Sequence, residues 1–150
     1  MRTNFKPAGK NSGAYLGEGV YFFDNQLSHA KTWAKNQAGK RQRGTVIAVI
    51  ESEIKYGNLM NLTDPEALET VKTFKNAYER KTNIPVTLAT IVDIVADKTN
   101  AEVVKACRYP GNTQLMPQGF TADVEIILAV RAIGNILSKR LVWSGMIGYT

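Results

Sequence analysis

The stretch Gly17-Glu-Gly-Val-Tyr-Phe-Phe-Asp24 constrains this chain more than any other. Gly17 and Gly19 permit positive φ or close backbone approach. Val20, Tyr21, Phe22 and Phe23 are β-branched or aromatic and favour a strand. Asp24 or Asn25 then offers a short side-chain oxygen to cap a helix over Asn25 to Ala34. Leu27, Ala30 and Ala34 share one face of that helix, with Trp33 beside them. The expected unit is a strand–helix corner whose Tyr21 starts next to a glycine-opened backbone.

Around this corner the chain reads as α+β. Residues Met1 to Ala14 hold Pro7, Gly9, Asn11, Ser12 and Gly13 and read as a loop. Lys35 to Gly44 is polar and basic, an exposed connection. Thr45 to Ile54 is a nearly continuous apolar run and predicts a central strand. Leu59 to Leu62 predicts a short strand. Thr63-Asp64-Pro65-Glu66 starts a helix to about Arg80, with Leu68, Val71, Phe74 or Lys75, and Tyr78 inward. A second helix is expected from about Val86 to Ala96. Glu102 to Tyr109 fits a strand or one more helical turn, and Pro110 to Thr121 a loop. Asp123 to Arg131 predicts a strand buried on both faces, and Leu141 to Ile147 an edge strand. Strands and helices do not alternate strictly, so α+β is favoured over a doubly wound sheet.

Gly19-Val20-Tyr21-Phe22, with Asp24, Ala30 and Trp33 downstream, resembles the Gly-x-Tyr-Phe…Ala segment of ADP-ribosyltransferases, in the branch with diphtheria toxin and the poly(ADP-ribose) polymerases. The resemblance implies split sheets of mostly antiparallel strands with peripheral helices, and NAD as substrate. It implies that Tyr21 stacks on nicotinamide, in a pocket walled by Gly19 and Phe22. His29 falls where the polymerases place a serine that contacts the nicotinamide amide, and Trp33 lies one helical turn further on. Glu125 opens an apolar strand, where the family carries its catalytic glutamate; Asp123, Glu51 and Glu53 are weaker substitutes. The family's upstream His-Gly-Thr strand has no counterpart, so an N-terminally truncated domain is expected. The acceptor implied is a protein or a nucleic acid, or water if NAD is hydrolysed.

Each residue also has a plainer reading. Tyr21 suits a strand core, Glu125 a sheet rim and His29 an exposed helix face. Lys31, Lys35, Lys40, Arg41 and Arg43 form a basic cluster with Trp33 interleaved, either a nucleic-acid surface or a solvated face with the indole turned inward. The net charge of +6 favours anionic partners or simply solubility. The rival function is therefore a non-catalytic module, a decayed transferase or a basic RNA-binding domain. A tRNA 2′-phosphotransferase-like relative on the same fold is a third reading.

At 150 residues the chain is sized for one domain. No apolar run approaches the ~20 residues of a membrane helix. One cysteine, Cys107, rules out an internal disulfide, and a lone histidine argues against a zinc site. No metal and no membrane partner are expected, and a cytoplasmic setting is the default. Gly17 and Gly19 precede a strand, the wrong context for a dinucleotide-fold fingerprint.

Overall fold

The pairing of β6 (Glu125–Val130) with strands on both sides organises the main sheet. Ile127, Leu128, Ala129 and Val130 are buried, as a strand covered on both faces requires. The computed structural model describes residues 5–10, 12–40, 45–109, 114–116 and 124–146. Within them, β1 (Val20–Phe23) runs antiparallel to β6 on one side, and β4 (Val103–Arg108) on the other. The far edge of β4 is shared by β3 (Leu59–Asn61), parallel to it, and β5 (Leu115–Met116), antiparallel. A separate two-stranded sheet joins β2 (Val46–Glu51) to β7 (Arg140–Met146) with a register shift after Val49. The fold is α+β, and the described residues form one mixed and one antiparallel sheet and three α-helices.

Parallel neighbours need a crossover, here α2 (Pro65–Thr82) and α3 (Leu88–Thr99) between β3 and β4. Asp64 caps α2 by accepting from Ala67 N–H at 3.3 Å, and Thr87 caps α3 through Thr90 N–H at 3.2 Å. Asn83 and Asn100, both left-handed, end the two helices. Leu68, Val71, Ile91, Val92 and Ala96 pack on one face of the main sheet, against Val104, Ala106, Ile127 and Ala129. Tyr21 and Phe23 belong to this layer, while Phe22 packs on the opposite face with Leu128, Val130, Ile54 and Tyr56. That division is the two-residue alternation of β1.

Several expectations are corrected. The first helix, α1, spans Leu27–Ala38 and has Gln26 at its N-cap with no side-chain capping bond. Asn25 is left-handed and Asp24 binds Lys105 instead. The apolar run after Thr45 is not central: among the described residues β2 pairs with β7 alone, and Val46 is 64% exposed. Its apolar pattern serves packing under α1 and the wall of a cleft. Within Glu102 to Tyr109, which fits a strand or a helical turn, Val103–Arg108 is a central strand. The helix placed at Val86 begins at Leu88 and runs on to Thr99. The short β5 interrupts the stretch read as a loop; positions 110–113 and 117–121 of it, with Asp123, Arg41 and Arg43, lie outside the described residues.

The glycine-opened turn is filled rather than empty. Asp93 of α3 accepts from Glu18 N–H at 2.8 Å and from Arg131 Nη1 at 2.7 Å. A methyl built on Gly17, whose φ is +78°, would lie 2.2 Å from Asp93 Oδ1. Gly17→Ala should cost about 3 kcal/mol in urea denaturation, about 1–2 from the left-handed backbone and the rest from this collision. Gly13→Ala, with φ +81° and nothing within 4 Å, should show the backbone part alone. Equal losses at the two positions would mean that the Asp93 contact does not hold the turn.

Candidate functional site

A cleft opens between the two sheets; among the described residues β1 and β2 each pair with one strand. Its volume is about 1030 Å³, and its walls include the continuous runs Gly19–Leu27 and Ala48–Ile54. Leu27, Ala30 and Ala34 of α1 face it, the stripe their spacing predicts. Tyr15, Tyr21, Phe22, Phe23, Trp33 and Tyr56 give it an aromatic lining. Gly19 is required by close approach: its φ is +148°, and a Cβ there would sit 3.1 Å from the Val130 carbonyl oxygen.

Tyr21 is anchored by its hydroxyl, which donates to Gly17 O at 2.7 Å and accepts from Leu16 N–H at 3.0 Å. Burial pushes its phenol up to about 12, since the anion would lose hydration. Burial raises Tyr15 further. The Tyr15 ring meets Tyr21 edge-on, centroids 5.3 Å apart at 65°. Arg108 lies 3.9 Å from the Tyr15 ring centroid and donates from Nε to Glu125 Oε2 at 2.8 Å. The register explains the pair: Arg108 is directly opposite Glu125 across β4 and β6. Their side chains are 12% and 10% exposed, so neither charge is well hydrated. Breaking such a pair from one side costs about 3–5 kcal/mol.

His29, in the first turn of α1, completes the cluster. Its Nδ1 is 4.0 Å from Glu125 Oε1, and its ring stacks on Phe23 with centroids 6.1 Å apart. Gln26 fixes the helix against β6: Nε2 donates to Val124 O at 2.8 Å, and Oε1 accepts from Ile126 N–H at 2.7 Å. The helix thus continues the β1–β6 ladder by a side chain, which sets His29 beside Glu125.

A second polar group marks the cleft wall at the end of β1. Asp24 Oδ2 lies 3.0 Å from Lys105 Nζ and accepts from the Tyr56 hydroxyl at 3.2 Å. Burial and the neighbouring Asp24 carboxylate hold the Tyr56 phenol above its ordinary value. Burial works against the Lys105 ammonium, but its bond to Asp24 prevails and raises it.

The sequence-derived residues therefore divide. Gly19, Tyr21, Phe22 and Trp33 line the cleft. His29 and Glu125 do not; they form the polar cluster that reaches Tyr21 through Arg108 and Tyr15. Phe22 faces away from Tyr21 and meets Phe5 edge-on at 5.4 Å. Trp33 is 52% exposed rather than turned inward. Lys31 and Lys35 lie over another indole, Trp143, at 5.9 and 5.6 Å. Arg108, Tyr15 and Asp93 are the residues that sequence reasoning missed. A cation ending a valine-rich strand was the only sign of Arg108, and its partner depends on the register.

Among the described residues, no group of three or more His, Cys, Asp or Glu side chains is arranged to hold a metal ion, and no helix is long and apolar enough to cross a membrane. No family model, curated protein or solved structure matches this chain.

The buried phenols generate a pH dependence of defined sign. Tyr21 titrates higher folded than unfolded, so its contribution is complete below about pH 10, the unfolded value, and is lost as pH rises toward about 12. Absorbance titration near 295 nm should show a phenol class ionising well above pH 10 that returns to ordinary values in denaturant. Tyr21→Phe should shrink that class and flatten the alkaline fall in stability. A single class near pH 10 in the folded protein would refute the burial.

Proposed function

We propose that this chain is an ADP-ribosyltransferase-like domain that binds NAD in the cleft between its sheets and transfers ADP-ribose, or hydrolyses NAD. One observation carries the reading. Tyr21 and His29 of one segment and Glu125 of another, about a hundred residues on, belong to one chain of contacts on one side of the main sheet, beside an aromatic cleft. The cleft volume of about 1030 Å³ is ample for a dinucleotide. In this reading Tyr21 contributes an aromatic surface for the nicotinamide ring, and Gly19 lets the backbone come close. The Glu125 carboxylate accepts from a ribose hydroxyl and faces the positive charge that develops at C1′ as the glycosidic bond breaks. A preorganised anion stabilises such an oxocarbenium-like state. His29 stands outside the cleft lining beside Glu125, and a donor role toward the amide is what the family resemblance alone implies for it.

The acceptor is a protein or nucleic-acid group, or water. A second reading, a non-catalytic module, is favoured by one specific feature: Glu125 is engaged by Arg108 and does not line the cleft. Incubation with NAD separates the two. The transferase reading predicts nicotinamide release, abolished in a folded Glu125→Gln variant. A binding module predicts no release, and for RNA a steep loss of affinity with salt. Release that survives Glu125→Gln would remove Glu125 from the chemistry.

A further inference from the structure

Helix α1 carries a surface that the cleft does not account for. Leu27–Ala38 includes Lys31 and Lys35 and no Asp or Glu. Lys10, Lys75, Lys105, Arg108, Arg131 and Arg140 each meet a carboxylate, whereas among the described residues Lys31 and Lys35 meet none. They lie over the Trp143 indole of β7 instead, at 5.9 and 5.6 Å. An indole holds two ammonium groups in place without neutralising them, so the pair stays attractive to an anion. Trp33 takes the other flank of the helix, about 160° round the axis from each lysine at 3.6 residues per turn. Thr32 and Asn36, both exposed, lie between. Trp33 lines the cleft and is also 52% exposed, so it stands at the cleft mouth. A merely solvated basic face would have its indole turned inward.

We propose that this face of α1 docks a single-stranded RNA, with phosphates at Lys31 and Lys35 and a base stacked on Trp33 at the mouth of the cleft. As the path of an acceptor to the cleft, the surface rests on the transferase reading. The chemistry favours this partner over an acidic protein segment. A carboxylate chain uses the two ammonium groups and gains nothing from an outward indole. A single strand uses both, because every base presents a flat face to an aromatic ring. A duplex keeps those faces inside its stack and is left with the lysines.

Anisotropy of a fluorescein-labelled oligouridylate, titrated with the full chain, tests the surface. Wild type should bind it with an affinity that falls steeply with salt. Lys31→Gln combined with Lys35→Gln should reduce the log–log salt slope by about 1.4, at ~0.7 for each phosphate contact. Trp33→Ala should weaken binding roughly ten-fold with the slope unchanged, and Trp33→Phe should recover most of the loss. Lys35→Gln alone, with half the slope change, carries the salt test if the double variant does not fold. Polyglutamate, an anion without bases, should displace the RNA poorly. Displacement as effective as that by unlabelled oligouridylate would assign the surface to acidic proteins and overturn the proposal. Binding that ignores Trp33→Ala, or no binding at low salt, overturns it too. Nicotinamide release from NAD is followed in parallel. RNA binding without release keeps the surface and removes the transferase reading. Release without RNA binding keeps the enzyme and removes the surface.

Discussion

The ion pair between Arg108 and Glu125 is the interaction on which the site depends. It spans the two central strands at directly opposed positions, with both side chains about nine-tenths buried. Charges taken that far from water persist only when each satisfies the other. The pair therefore ties the last residue of β4 to the first of β6, and the Tyr15 ring stacks on its cationic half. His29 stands near its anionic half because Gln26 pins the start of α1 to the β6 backbone. Side chains from three segments and one loop thus meet at a point fixed by sheet register.

Asp93 plays the corresponding part for the glycine turn. Its carboxylate occupies the space that a side chain at Gly17 would need, and it is itself held by Arg131. Arg131 also reaches Asp97, which Lys10 meets at 2.8 Å. The turn, helix α3 and the residue after β6 are joined by one charged network. Tyr21 inherits its place from that turn, since its hydroxyl bonds to the backbone of Leu16 and Gly17. The glycine pair is thus explained by packing and backbone approach without any bound ligand. That leaves the aromatic lining and the nearby carboxylate, rather than the glycines, as the argument for a binding site.

Local signals in the sequence anticipated much of this fold. The strand from Val20, the helix capped at Asp64, the apolar strand before Arg131 and the final edge strand all follow from periodicity and capping chemistry. Where reading failed, the decisive partner was distant. Asp24 looked like a helix cap, but Lys105 takes its carboxylate. Val103–Arg108 was ambiguous because Lys105 interrupts its apolar run; its ammonium is accommodated by Asp24 and lies near the Tyr56 ring. The Thr45 run looked central because continuous apolar residues suit a doubly covered strand, yet a lone strand pair beside a cleft has the same composition. The place of Glu125 at the head of a strand follows from the apolar run after it, whereas the place of Arg108 opposite it depends on the register.

The cleft between the sheets is the remaining consequence of this architecture. The space between the two sheets has an aromatic lining, and the proposed occupant is NAD with its nicotinamide toward Tyr21. Backbone amide NMR of the labelled chain titrated with NAD tests that placement most directly. The account predicts saturable shift changes concentrated at Gly19–Trp33, Val49–Tyr56 and Ile127–Leu128. Changes confined to the outer faces of α2 and α3, or none at millimolar NAD, would contradict it.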